Sequence, residues 1–214
     1  QDHESFRRYY WDGLHEAVHS FFQGESVRLL LEGKYAALKA SRAPVISPFV
    51  RSGQTGHSIP DWIAARREYL LVEMESFESK FSISTNFGLD FRSETNAVTL
   101  SGKSPLGVFG LAVNGLSHHV LWQNANQWRM DLVLDQEINE LRLTGIDSKG
   151  ETLPDVSDTI SITVTSAIDP PSGAIVINEI MYHPLEDGEA EFIELHNRSQ
   201  TTAYDLNGWR INGL

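Results

Sequence analysis

The stretch INEIMYHPLEDGEAEFIELHN, residues 177–197, carries Glu179, His183, Asp187, Glu189, Glu191, Glu194 and His196. Carboxylates and imidazoles at that density could hold a hard cation or share a proton between acid and base. A calcium loop needs about six to eight oxygens converging on one point, commonly from a D-x-[DN]-x-[DN]-G turn. LEDGEAE instead sets Glu186, Asp187 and Glu189 around Gly188 in the wrong alternation. In an extended strand Glu191 faces away from Phe192, and Glu194 faces away from Ile193 and Leu195, so these carboxylates do not all meet. The stretch reads as two strands and a turn whose charges face water.

A second candidate lies near the start. HEAVH, residues 15–19, matches H-E-x-x-H, in which two histidines one helical turn apart bind zinc and the glutamate is the base. His15 and His19 would be the ligands and Glu16 the base of a zinc hydrolase. No third ligand follows nearby, because the next histidine, His57, falls in the Gly- and Ser-containing connection RSGQTGHS. Leu14 and Val18 carry the apolar stripe, which puts His15 and His19 one step off it on a solvated edge. His118 and His119 are adjacent and would face opposite sides of a strand. Neither a G-x-S-x-G elbow nor a phosphate-binding glycine loop occurs. Asn197-Arg198-Ser199 matches a glycosylation sequon by chance composition. The expectation is therefore no catalytic, cofactor or metal site in this chain.

Composition narrows the partners. The 214 residues carry a formal charge of −12, which disfavours a phosphate-binding surface or docking on an anionic membrane. Cysteine is absent, which removes disulfides, thiolate catalysis and thiolate metal sites. No apolar run approaches the roughly 18–20 residues that span a bilayer. No signal peptide is recognisable, and a chain opening on Gln1 reads as a piece of a longer protein.

Three stretches with different periodicity must position these groups. Residues 1–76 follow the helical period. Phe6, Tyr10, Leu14, Val18 and Phe21 form one expected stripe, and Val27, Leu31, Tyr35 and Leu38 a second. Ser26 is the expected N-cap of the second helix, and Ser58 precedes Ile59 and Pro60 at the start of a third carrying Trp62, Tyr69, Leu70 and Met74. The stripes are so aromatic that they should also cover a body outside this chain. Residues 77–167 alternate with period two, with turn signals at 86–88, 114–115 and 147–150, which predicts a β-sandwich with Trp122 and Trp128 as core anchors. IDPPSG, residues 168–173, reads as an extended linker. Residues 174–214 then give strands AIVINEIMY and EFIELHN and, past a turn, LNGWRING, too short a segment to bury a core alone.

Two of these stretches resemble known families. The order Asn178-Glu179-Ile180, then Glu191, Ile193, Glu194, Leu195 and Asn197, then Asp205, Leu206, Gly208 and Trp209, resembles the opening of a lamin-tail domain. Phe192 stands where that family more usually has Trp. The resemblance implies an immunoglobulin-like β fold of which only the first third is present, with Asn178 and Glu179 tying down loop backbone by hydrogen bonds. FRRYYWDGLHEAV and PDWIAARREYLLVEM are similar to the C-terminal helices of the spore-coat-protein-H (CotH) kinase family. VTLSGKSPLGVFGLAVNG through INELRLTGIDSKG resembles the bacterial Ig-like modules found between such domains.

The resulting expectation is a multidomain chain, α then all-β: a helical segment, an Ig-like β-sandwich and a partial Ig-like lamin-tail domain. By resemblance it is a non-catalytic region of a large exported bacterial protein, secreted or at the cell surface. Its partners would be other domains of the parent, cell-surface proteins or glycans, with no nucleic acid and no membrane insertion. ATP and a divalent metal would belong to the parent's kinase-like domain, upstream of Gln1. Two other readings are a carbohydrate-binding or adhesive module using Trp122, Trp128 or Trp209, and the zinc hydrolase of HEAVH. The three tryptophans are expected to be buried.

Overall fold

The computed structural model describes residues 4–42, 44–51, 53, 56–182 and 190–211. Three helices come first: α1 (Glu4–His19), α2 (Gly24–Ala40) and α3 (Ile59–Glu75). Ser58 starts α3 as expected. Its hydroxyl accepts the Asp61 N–H at 3.3 Å, and the Asp61 carboxylate accepts the Ser58 N–H at 3.3 Å, a reciprocal cap with Pro60 in the first turn. Ser26 does not cap α2. The Val27 N–H already closes on the Gln23 carbonyl at 3.0 Å, so the helix opens at Gly24 and Ser26 lies inside it.

The expected stripe of α1 is corrected by the structure. Phe6 and Tyr10 are 70% and 51% exposed, and Phe21, which lies beyond the helix, is exposed too. The buried line is Arg8, Asp12 and Val18, with Trp11, Leu14 and His15 half-buried beside it. Val18 meets Leu70 and Met74 of α3 in a small cluster that Leu106 also joins. Arg67 of α3 donates to the Val18 carbonyl at 3.1 Å. On α2, Val27 is buried, Leu31 and Tyr35 are half-buried, and Leu38 is exposed.

The β region begins with β1 (Ser82–Ile83), followed by β2 (Phe91–Ser93), β3 (Ala97–Lys103), β4 (Gly110–Val113), β5 (Leu116–His118), β6 (Leu121–Trp122), β7 (Gln127–Val133), β8 (Ile138–Ile146) and β9 (Thr152–Val164). They form a four-stranded sheet ordered β1-β3-β7-β6 and a five-stranded sheet ordered β2-β9-β8-β4-β5. Only the β2–β9 pairing in these two sheets is parallel. Alternate residues of both sheets enter one core: Val98 and Leu100 of β3, Trp128, Met130 and Leu132 of β7, Leu141 and Leu143 of β8, Ile160, Ile162 and Val164 of β9. The molecule is thus three helices followed by a β-sandwich. Asn114 and Gly115, at φ 50° and 84°, make the two-residue turn between β4 and β5 that the sequence signalled. Gly102 lies under the Trp128 indole, and a Cβ there would collide with that ring and with the Ser82 carbonyl.

Beyond Val164 the chain stays tied to the sandwich. Ile168 packs against its core, and the N–H groups of Ala174 and Ile175 both donate to the Pro171 carbonyl. IDPPSG therefore closes a turn where an extended spacer was expected. Two further strands, β10 (Ile175–Met181) and β11 (Phe192–Asn197), pair antiparallel with a bulge at Asn178. LNGWRI turns at Asn207-Gly208, with Gly208 at φ 78° and the Trp209 N–H on the Leu206 carbonyl, and forms no strand through Ile211 where a third was expected.

Replacing Trp128 by Ala should cost the sandwich about 3–5 kcal/mol in urea denaturation, because the indole is fully buried at its centre. Trp209→Ala should cost less than about 1 kcal/mol, since half of that ring already meets solvent.

Candidate functional site

Charged groups are costly to bury, so the interior of the α1–sandwich junction is informative. Arg8 and Asp12, one turn apart on α1, are both 0% exposed. The Arg8 Nε donates to Asp12 Oδ2 at 2.7 Å. Its Nη1 donates to the Ala125 carbonyl, and its Nη2 to the carbonyls of Pro105 at 2.6 Å and Val108 at 2.8 Å. Asp12 Oδ1 accepts the Gly107 N–H at 2.8 Å. The guanidinium also lies 4.1 Å from the centre of the Trp122 ring, a cation–π arrangement. Burial, the largest influence, pushes the Asp12 carboxyl up and the Arg8 guanidinium down; each partner's charge opposes this. Both loops at this end of the sandwich, 104–108 and 123–126, are thereby held by one helical turn.

The same loop fixes the histidine pair. Gly107, at φ 87°, packs its backbone against the His15 ring, where a Cβ would come within 3.0 Å of Cε1. The His15 and His19 rings lie 4.2 Å apart, tilted by 39°, and His19 Nδ1 is 2.8 Å from the His15 carbonyl. With His19 Nδ1 donating to that carbonyl, Nε2 remains its free nitrogen. The two rings line a cleft of about 400 Å³ together with Met74, Glu78, Ser79, Lys80 and Leu106. His15 is half-buried, not on the solvated edge expected of it. Glu16, the base of the zinc reading, points elsewhere: its Oε1 lies 3.5 Å from the Ser148 hydroxyl. Among the described residues no three His, Asp or Glu side chains come together to hold a metal ion.

The acidic stretch is only partly within view, because His183, Glu186, Asp187 and Glu189 lie outside the described residues. In the β10–β11 pair Glu179 stands opposite Glu194, and both are exposed. Asn178, at the bulge, donates to the Glu194 carboxylate and not to loop backbone as expected. Glu191 is exposed at the entry to β11. Asn197 closes the following turn by donating to the Thr202 carbonyl at 2.9 Å and accepting the Ser199 N–H at 2.9 Å. The register sets Ile177 opposite Leu195 and Ile180 opposite Ile193. Of the three tryptophans considered as sugar platforms, Trp122 and Trp128 are buried at 3% and 0%. Trp209, expected to be buried, is 51% exposed. Leu206 is half-buried beside the exposed Gly208.

Sequence reasoning missed Arg8 and Asp12 because it weighted the aromatic stripe. The available signal was an i, i+4 Arg–Asp pair flanking three aromatic residues, Tyr9-Tyr10-Trp11, on a helix entering a sandwich.

Two outcomes follow. Arg8→Ala leaves Asp12 and three carbonyls facing a void and should destabilise the α1–sandwich junction by about 3–5 kcal/mol, read from hydrogen exchange in α1. Burial, then His19 and Arg8, hold the His15 imidazole below its ordinary value of 6.5. The folded state thus prefers the neutral ring, so this contribution to stability is complete above the unfolded value of 6.5 and is lost as pH falls below it towards the lower folded value. Denaturation midpoints at pH 7.5 and 5.5 should differ, and His15→Gln should shrink that difference.

No family model matches this sequence, and no curated protein matches it. Among solved structures, a likeness appears to the fibronectin(III)-like modules of Clostridium thermocellum CbhA, at 10% identity and a TM-score of 0.31, covering 41% of this chain and 98% of that one. At that score the likeness carries no weight for fold or function.

Proposed function

We propose that this chain is a non-catalytic connecting region, in which β modules hold a helical unit in a set position and serve as spacer, anchoring or adhesion units. The observation that carries this reading is the Arg8–Asp12 pair. Two fully buried charged groups point into a junction and are engaged by backbone from two loops and by each other. Groups arranged for turnover keep a face open to substrate; these are closed on every side. The HEAVH imidazoles lie on one helix, and the described carboxylates of the acidic stretch, Glu179, Glu191 and Glu194, are exposed on or beside a strand pair.

The resemblances extend the proposal. The helices are read as the end of a CotH-kinase-like domain, the sandwich as an Ig-like spacer, and residues 174–214 as the opening of a lamin-tail domain, within an exported bacterial protein displayed at the cell surface. On this reading ATP and its divalent metal belong to the parent's upstream domain. The exposed aromatic residues of the helices, Tyr9, Tyr10 and Trp62, suit packing against such a body.

Differential scanning calorimetry tests the connector directly. Helices and sandwich should unfold in one transition, and Arg8→Ala should divide it into two. Two transitions in the unmodified chain would remove the basis of the proposal. Elemental analysis of purified protein should find far less than one zinc per chain. Stoichiometric zinc lost on His15→Ala, together with a hydrolytic activity, would favour the HEAVH reading instead. The parent assignment is tested by the coding sequence around this piece, which should encode nucleotide-binding ligands upstream of Gln1.

A further inference from the structure

A groove of about 970 Å³ runs between one end of the sandwich and the segment that follows it. Its two walls are fixed to each other by Asn96, which is 2% exposed. The Asn96 amide donates to the carbonyls of Leu134 and Ala203, both at 2.9 Å, and accepts the Ala203 N–H at 2.8 Å. Thr202, also buried, accepts the Asp169 N–H at 3.2 Å. The groove therefore has a set geometry at the large end of the range for binding pockets, roughly 300–1,000 Å³.

Its lining combines two features. Leu116, Val133, Ile138 and Trp209 line it while remaining 71%, 38%, 58% and 51% exposed, and apolar groups grouped at a concave surface mark interaction sites. Asp135, Glu140, Asp169 and Asp205 also line it, and no lysine or arginine does among the described residues. A cleft of one sign focuses the field and concentrates the opposite charge, which turns away phosphorylated or other anionic ligands. No three of these groups stand close enough to hold a single metal ion. The negative charge is strung along the groove, which matches several cations carried on one chain. One wall is β5, the outermost strand of its sheet, whose free edge offers backbone hydrogen bonds to an extended segment. Trp209 offers an indole for a cation.

We propose that this groove binds an extended basic segment of a partner protein, with one lysine or arginine over Trp209 and others facing Asp135 and Glu140. This goes beyond the connector role and does not rest on it. The test is fluorescence anisotropy of the intact chain with a labelled peptide of alternating lysine and alanine, at low and at physiological salt. Binding should weaken with salt, and Trp209→Ala should weaken it about tenfold or more. Asp135→Asn combined with Glu140→Gln should do the same, and because both residues are exposed this pair decides the matter even where Trp209→Ala perturbs the fold. Glu68→Gln with Glu73→Gln on α3 should change affinity less than about twofold. Absence of binding, or an equal loss from the α3 pair, would overturn the proposal. So would Trp209-dependent binding of a neutral glucan or chitin oligosaccharide in place of the peptide.

Discussion

The arrangement of this molecule depends on one guanidinium that is fully shielded from solvent. Arg8 meets a carboxylate, three backbone carbonyls and an aromatic face within the junction between α1 and the sandwich. A buried ion pair adds little net stability, because desolvating both charges offsets most of their attraction. Its geometry is nevertheless demanding, since every other docking of the helix would leave the guanidinium or the carbonyls unpaired. The pair thus selects one orientation and one helical register. Arg8 and Asp12 decide which face of α1 turns inward, against the preference of Phe6 and Tyr10 for burial.

Other features follow from that choice. With Arg8 inward, His15 two turns on lies against Gly107, and the tilted imidazole pair is left beside a small cleft with no third ligand among the described residues. Val18, one turn further, reaches Leu70 and Met74, so α3 is carried by α1. At the opposite end, Asn96 plays a comparable part for the segment after β9, again by satisfying backbone groups in a buried place. Buried polar side chains, beside the apolar contacts of Leu106 and Ile168, thus join the sandwich to what precedes and follows it.

The sandwich itself was legible in the sequence because period two is a local property: Trp128, Met130, Leu132 and Leu134 alternate whatever they pack against, and Asn114-Gly115 names its own turn. The Ser58 cap was legible for the same reason. What was not legible depended on distant partners. Nothing local in α1 says that carbonyls of Pro105, Val108 and Ala125 await a cation, so the aromatic stripe looked like the buried face. Trp209 looked like a core residue because large apolar side chains usually are, yet its surroundings place it on a groove wall. The candidate chemistry of HEAVH was discounted from sequence by the lack of a third ligand and by its place off the apolar stripe; the half-burial of His15 required the loop at Gly107.

A distance measurement between α3 and the sandwich reaches the central claim most directly. The chain has no cysteine, so spin labels at Glu73→Cys on α3 and Thr159→Cys on β9 would be unique. Pulsed dipolar spectroscopy should give one narrow distance distribution, broadening when Arg8 is replaced by Ala. A distribution already broad with Arg8 in place would show that the helices move independently of the sandwich and would contradict the account.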